Sequence, residues 1–394
     1  MKFFQQWIPI SFVVLSLGCV EPVDIPLKEE TSLLVVEGII TDAPGPYVVT
    51  LSLSSPVSQN QFIPERGATV TIEAGDGKTV SLSEISPGHY ATDSAAIRGE
   101  IGQTYRLLVT RQNGESYESD REILRASPPI DSVYFSKETQ VIDNSSQFGA
   151  QVYVDTYDPE GKSNFYRWTW KETWKYSVPF SSAYEYVGNL NTSLIEEKRF
   201  CFMNDTSNLI RVGSSAGNSE DIISGYPLVF ITGETKRLVH RYSILVEQYV
   251  MSEEEFIFWK SIQEATENTG TLFDRQPQSV TGNVRNTNGQ GERVLGYFSA
   301  SGVSVKRAYV NGRDLNFNIS SYASYVTQCY EHMDTILLGP NADAQVFAAL
   351  ADGKVFYQYY QPLIAIAGFL LTTPDCNDCT VLGGTKQVPG FWVE

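Results

Sequence analysis

The chain has 394 residues, 42% of them hydrophobic and 12% aromatic, enough for packed cores and too many for global disorder. Its 46 acidic and 29 basic residues give a net charge of −17, which excludes a phosphate-binding face for nucleic acid and charge-driven adsorption to anionic lipid. The length predicts two or three domains, and 22 tyrosines, 20 phenylalanines and 6 tryptophans with few helical periodicities predict β-sheet.

The first element is an apolar run over residues 7–17, broken by Pro9 and Ser11 and preceded by Lys2. A helix of that length rises about 16 Å, half a hydrocarbon core, so residues 1–18 read as a secretory signal peptide and not as a membrane span. The run ends in LSLGC, which resembles the lipobox of bacterial lipoproteins, with Ser16 where leucine is most common. Cys19 is therefore the expected lipidation site and the first residue of the mature chain, because two or more acyl chains give stable anchoring. Residues 19–31 form a polar, proline-bearing tether, and Glu21 and Asp24 within it resemble the surface-export signals of Bacteroidota lipoproteins.

Residues 32–126 read as consecutive strands. VVTLSLS places Val49, Leu51 and Leu53 on one face and Thr50, Ser52 and Ser54 on the other. ATVTIEAGDGKTVSLSEI gives two runs joined by a Gly-Asp-Gly turn, a hairpin signal. PGHYATD and IGQTYRLLVT add two strands, with Tyr105, Leu107 and Val109 together, and RQNGESYESD supplies an Asn-Gly turn. This spacing predicts an immunoglobulin-like or transthyretin-like β-sandwich.

Pro128-Pro129 marks a boundary, since proline blocks sheet hydrogen bonding. Residues 127–394 then read as a larger β-rich second domain, with a helical insertion and a cysteine-containing C-terminal segment. FGAQVYVDTYD and NFYRWTWKETWKYSV are long strands joined by a turn at Asp158-Pro159-Glu160-Gly161, and further strands fall between Leu228 and Val250. SEEEFIFWKSIQEATENTG changes period and predicts the one clear helix, over about 252–268. Ser252 and Glu255 form its capping box, Phe258, Ile262 and Ala265 its apolar face, and Gly270 its stop. Residues 294–312 and parts of 342–371 return to strand patterns.

Four cysteines remain besides Cys19: Cys201, Cys329, Cys376 and Cys379. An even number in an exported chain predicts disulfides, with three connectivities open. The Cys376-Asn-Asp-Cys379 spacing also fits a zinc half-site or a redox pair, but no second ligand stands near Cys201 or Cys329, and no metal or cofactor is expected. Gly213-Ser214-Ser215-Ala216-Gly217 matches the G-x-S-x-G elbow, with His240 and His332 the only downstream bases, yet turn-forming residues follow where a helix is needed. Asp155, Asp158 and Glu160 could be carboxylates for hydrolysis or for calcium; a turn is the plainer reading. In FYRWTWKETWKY, Tyr166, Trp168 and Trp170 share one strand face. Core packing is the favoured reading, with Trp174 and Tyr176 nearer the surface and YQYYQP leaving one ring set exposed. If there is a ligand, it is expected between the second domain's sheet and the helix, watched by Trp168, Trp170, Trp174 and Trp259.

Several phrases together resemble the Bacteroidota lipoprotein family called domain of unknown function 4249. These are CVEPVDI with LVVEGIITD, PGHY and GQTYRL, VYVDTYDPEG, YRWTWKETW, SEEEFIFWK, TLFDRQPQSVTGNVRN, VLGYFSASGV and the closing CNDCTVLGGTKQVPGFW. The resemblance spans nearly the whole mature chain and is weakest over residues 313–360. It carries no catalytic residues. It implies an outer-membrane lipoprotein, anchored through its N-terminal lipid, surface-exposed, and partner to a TonB-dependent receptor. The leading expectation is an accessory or substrate-binding partner of that transporter and not an enzyme. A scaffolding subunit of an outer-membrane assembly is the alternative, and a surface hydrolase using Ser215 with His240, or an adhesin, ranks below both.

Overall fold

The computed structural model describes residues 32–55, 61–233, 235–267, 281–288, 293–315, 320–360 and 367–393. Cys19, its tether and Gly270 lie outside these residues. The chain is mainly β, as composition predicts, and its strands gather in several sheets.

The first sheet contains the strands expected between 32 and 126. Its order is Val284–Asn286, Ser116–Ser119, Thr104–Thr110, Thr69–Ala74, Thr79–Ser86, His89–Ala91, Val48–Leu53, Leu34–Thr41 and Leu295–Ser301. Alternation does the sorting: Val36, Val49, Leu51, Val70, Ile72, Leu107 and Val109 turn inward into one core, while the threonines and serines between them face out. Two of its strands come from far downstream. Leu295–Ser301 runs parallel to Leu34–Thr41, from the Val35–Leu295 pair to the Thr41–Ser301 pair, and Phe298 and Val294 fill the same core. The sandwich therefore extends past residue 126 and borrows from residues 284–301, so the two units are not consecutive stretches of chain. Gly296 makes the parallel pairing possible: its φ is +99°, and a Cβ there would lie 1.8 Å from the Val36 carbonyl oxygen.

The second unit packs two sheets face to face. One has the long hairpin Ile130–Ile142 with Ser145–Tyr157, turned by Asp143 and Asn144 at positive φ, and the strand Ile222–Thr232. The other is ordered Phe200–Thr206, Phe165–Ser177, Arg241–Val250 and Val303–Asn311. Their shared core holds Val152, Val154, Leu228, Ile244, Val246 and the aromatic face of Phe165–Ser177.

The expected helix is present as Glu253–Glu267, and Ser252 caps it by accepting the Glu255 amide at 3.2 Å. Beyond it stand further helices at Ser320–Glu331 and Ala342–Ala351, then a small sheet of Asp334–Leu337, Gly368–Thr372 and Val355–Tyr360. Residues 342–351, ADAQVFAALA, are helical within a stretch whose pattern in part predicts strand. Alanine, with no side-chain entropy to lose, favours helix there, and Val346 packs on Phe356, Phe369 and Leu371.

Candidate functional site

The strand Phe165–Ser177 is the spine of the second unit, and its alternation decides which groups can meet. Tyr166, Trp168, Trp170, Glu172, Trp174 and Tyr176 point into the core, and Arg167, Thr169 and Lys171 point to the other side. Trp168 sits 4.4 Å from the Tyr226 ring, and its indole donates at 2.9 Å to the Gln248 side-chain oxygen. Gln248 is fully buried and donates in turn to the Pro128 carbonyl at 3.0 Å and the Thr156 hydroxyl at 3.1 Å. Trp170 donates to Glu172 at 3.0 Å; burial raises that carboxyl, opposed by the Arg237 guanidinium 2.8 Å away.

Trp174 and Tyr176, expected nearer the surface, are 7% and 1% exposed. Remote chain covers them: Arg237 lies 4.9 Å over Trp174, and the Tyr176 hydroxyl donates to the Cys379 carbonyl. Trp259 belongs to a different face. Arg167 stacks on it at 4.4 Å, Phe258 meets it edge-on, and Phe165 packs on Phe256. These contacts pack the helix directly on the sheet face beside which a ligand is expected. The structure thus brings Trp168 and Trp170 together in the core, with Trp174 further along, and Trp259 across the sheet from them.

Under that helix lies a group of side chains that the sequence reading passed over. Glu255, a member of the expected capping box, is buried; it accepts from the Trp259 indole at 3.2 Å and the Ser299 hydroxyl at 2.5 Å. Burial raises its carboxyl to about 7, with Arg167 and the two donors opposing and Glu122 reinforcing the shift. Glu122, from the first unit, is also raised by burial; Tyr297 donates to it at 2.7 Å and Asn283 at 3.0 Å. Among the described residues neither carboxylate has an ion pair within 4 Å. The cluster joins four elements: Glu122–Ile123, the helix, Leu295–Ser301 and, through Arg167, the aromatic strand. It can hold a proton at the seam of the two units. A signal existed in the sequence, since Glu255 stands three and four residues before Phe258 and Trp259, on the buried side of the helix.

The other candidates resolve into structure. Ser215 is buried and donates to Asp221; strand Arg211–Ser214 precedes it and a turn follows, with no helix. Ser214 pairs with Phe165, whereas His240 lies 2.8 Å from Ser177, at the far end of the same strand. Twelve residues of strand separate these ends by about 40 Å, so Ser215 and His240 do not meet. Asp158 closes its own turn by accepting the amides of Glu160 and Lys162, each at 3.0 Å. Asp155 accepts from Ser132 and from the Gly225 amide. No group of three or more metal-ligating side chains assembles among the described residues. The four cysteines form two disulfides, Cys201–Cys379 and Cys329–Cys376, so neither CxxC cysteine bonds the other.

A family model described as a domain of unknown function (DUF4249) matches residues 20–307. The chain belongs to DUF4249. In this DUF4249 chain the matched stretch takes in the sandwich, the aromatic spine and the carboxylate seam, and it ends inside the strand Val303–Asn311. Helix Ser320–Glu331, the small sheet and the Cys329–Cys376 disulfide lie beyond it. No curated protein matches the chain. No helix among the described residues is long and apolar enough to cross a membrane.

Proposed function

We propose that this DUF4249 protein is a lipid-anchored outer-membrane lipoprotein that serves as an accessory partner of a TonB-dependent transporter. The observation that carries the reading is the cysteine inventory. Four of five cysteines are buried in two disulfides, a chemistry of exported proteins, and the fifth, Cys19, ends a lipobox. The accessory role is favoured over catalysis because the candidate nucleophile and base lie at opposite ends of one strand. It is also favoured over an aromatic small-molecule groove, because the four candidate indoles are buried. Recognition then falls to strand edges and hairpin tips. Tethering raises local concentration to roughly millimolar, so modest protein contacts suffice.

The test is a mild-detergent pull-down of the tagged, lipidated protein from its own membranes, with copurifying chains identified by mass spectrometry. A TonB-dependent barrel in near-equal amount is the expected result. Recovery of other assembly subunits without a barrel refutes the accessory role.

A further inference from the structure

The register of the first sheet gives the sandwich two distinct ends. At one end stand Leu34, its partner Leu53, the Leu53–Ile63 pair and the turn at 86–88, where the Leu51 amide donates to the Gly88 carbonyl at 2.8 Å. At the other end stand Thr41 with Ser301, Arg125 bridged to Ser301, and Asp42 accepting the Val303 amide at 2.8 Å. The second unit joins on this side, with the Val250 amide donating to Ser301 at 2.8 Å and the helix reaching Ser299 and Tyr297 further along the same strand. The eight residues of Leu34–Thr41 separate the two ends by about 26 Å.

The chain enters from Cys19 at the first of these ends. Thirteen peptide steps lie between residues 19 and 32, a span of at most about 45 Å. That end presents Ile85 at 65% exposure and Phe62 at 54%, the latter stacked 5.4 Å from the His89 ring. Its acids are already occupied: Glu84 accepts the amides of Gly67 and Gly88 at 2.9 and 3.0 Å, and Glu65 pairs with Arg111 at 2.9 Å. On a chain of net charge −17, both carboxylates at this end are held within the fold, Glu65 by a guanidinium, and this is the end that the chain from Cys19 enters.

We propose that this end of the sandwich, through Phe62 and Ile85, rests on the lipid surface that holds Cys19, so that the sandwich is a pedestal carrying the second unit away from the membrane. The proposal rests on the lipid-anchor reading above. Two apolar side chains bind a bilayer weakly by themselves; the anchor supplies the local concentration that makes the contact persistent.

Amide hydrogen exchange on the full, lipidated protein in vesicles of phosphatidylethanolamine and phosphatidylglycerol tests it, against the unlipidated mature chain with the same vesicles. The contact slows exchange at residues 61–66 and 84–89 by about fivefold or more and leaves Leu295–Ser301 unchanged. The double variant Phe62→Ser, Ile85→Ser loses that slowing while remaining anchored and retaining the wild-type circular dichroism. Acylated Cys19, read by intact mass, with unchanged exchange at both segments overturns the pedestal and leaves the anchor standing. Unacylated Cys19 overturns both.

Discussion

Gln248→Leu is the perturbation that most directly tests how the two sheets of the second unit are joined. The side chain is fully buried and links four partners: the Trp168 indole at 2.9 Å, the Pro128 carbonyl at 3.0 Å, the Thr156 hydroxyl at 3.1 Å and the Ser304 hydroxyl at 3.5 Å. Three of these keep a bond without it. The Ser304 hydroxyl donates to the Pro128 carbonyl at 2.8 Å, and the Thr156 hydroxyl donates to the Pro129 carbonyl at 3.4 Å. The indole N–H keeps none, so one buried donor is orphaned, at about 1–3 kcal/mol, and the remaining losses add about 1 kcal/mol. Leucine's transfer gain offsets part of this, leaving a net destabilisation of about 2–3 kcal/mol. Urea unfolding followed by tryptophan emission measures it, in the wild-type and Trp168→Phe backgrounds. Phenylalanine has no N–H to orphan, so Gln248→Leu should cost at least about 1 kcal/mol less in that background. Equal costs in both backgrounds refute the assignment of the penalty to the indole–amide bond.

Glu255→Gln should change the pH dependence of stability. The folded carboxyl is raised from an ordinary 4.5 to about 7, so the wild type carries its full stability below pH 4.5 and loses it as pH rises through 7. At about 1.4 kcal/mol per pH unit that loss is roughly 3 kcal/mol, and the glutamine variant should lack it; parallel urea midpoints for both between pH 5 and 8 count against the buried-carboxylate reading. Paired cysteine-to-serine changes should cost about 5 kcal/mol for Cys201–Cys379, which closes 178 residues, and about 4 for Cys329–Cys376, which closes 47. The ranking is checked by thermal melts, and a larger loss from the shorter loop contradicts it. Gly296→Ala should destabilise the first unit by about 3 kcal/mol or more, with exchange protection lost first along Leu34–Thr41; a neutral result means the parallel pairing tolerates a Cβ there.

What could be read from the sequence was local. Strand alternation placed Val49 and Leu51, or Tyr105, Leu107 and Val109, on one face, and burial follows that pattern. Ser252 was legible as a cap because capping is decided within one helical turn. Burial supplied from a distance was not legible. Trp174 and Tyr176 look half-exposed until Arg237 and residue 379 arrive over them. Glu255 looks solvated until Ser299, 44 residues onward, donates to it. The cysteine pairing belongs to the same class, since adjacent cysteines in sequence bond to partners on separate elements.

The parallel pairing of Leu34–Thr41 with Leu295–Ser301 has a consequence for biogenesis. A chain made from its N-terminus offers strand 34–41 about 260 residues before its partner follows, so one side of that strand stays unpaired through most of synthesis. Contact order of this kind delays closure of the first unit until the second has been threaded. Over that interval an apolar, β-branched edge, LVVEGIIT, is open to pairing with other chains. A chain ending near residue 126 would keep that edge permanently, so isolating the N-terminal unit as a soluble fragment calls for residues 284–301 to be supplied with it.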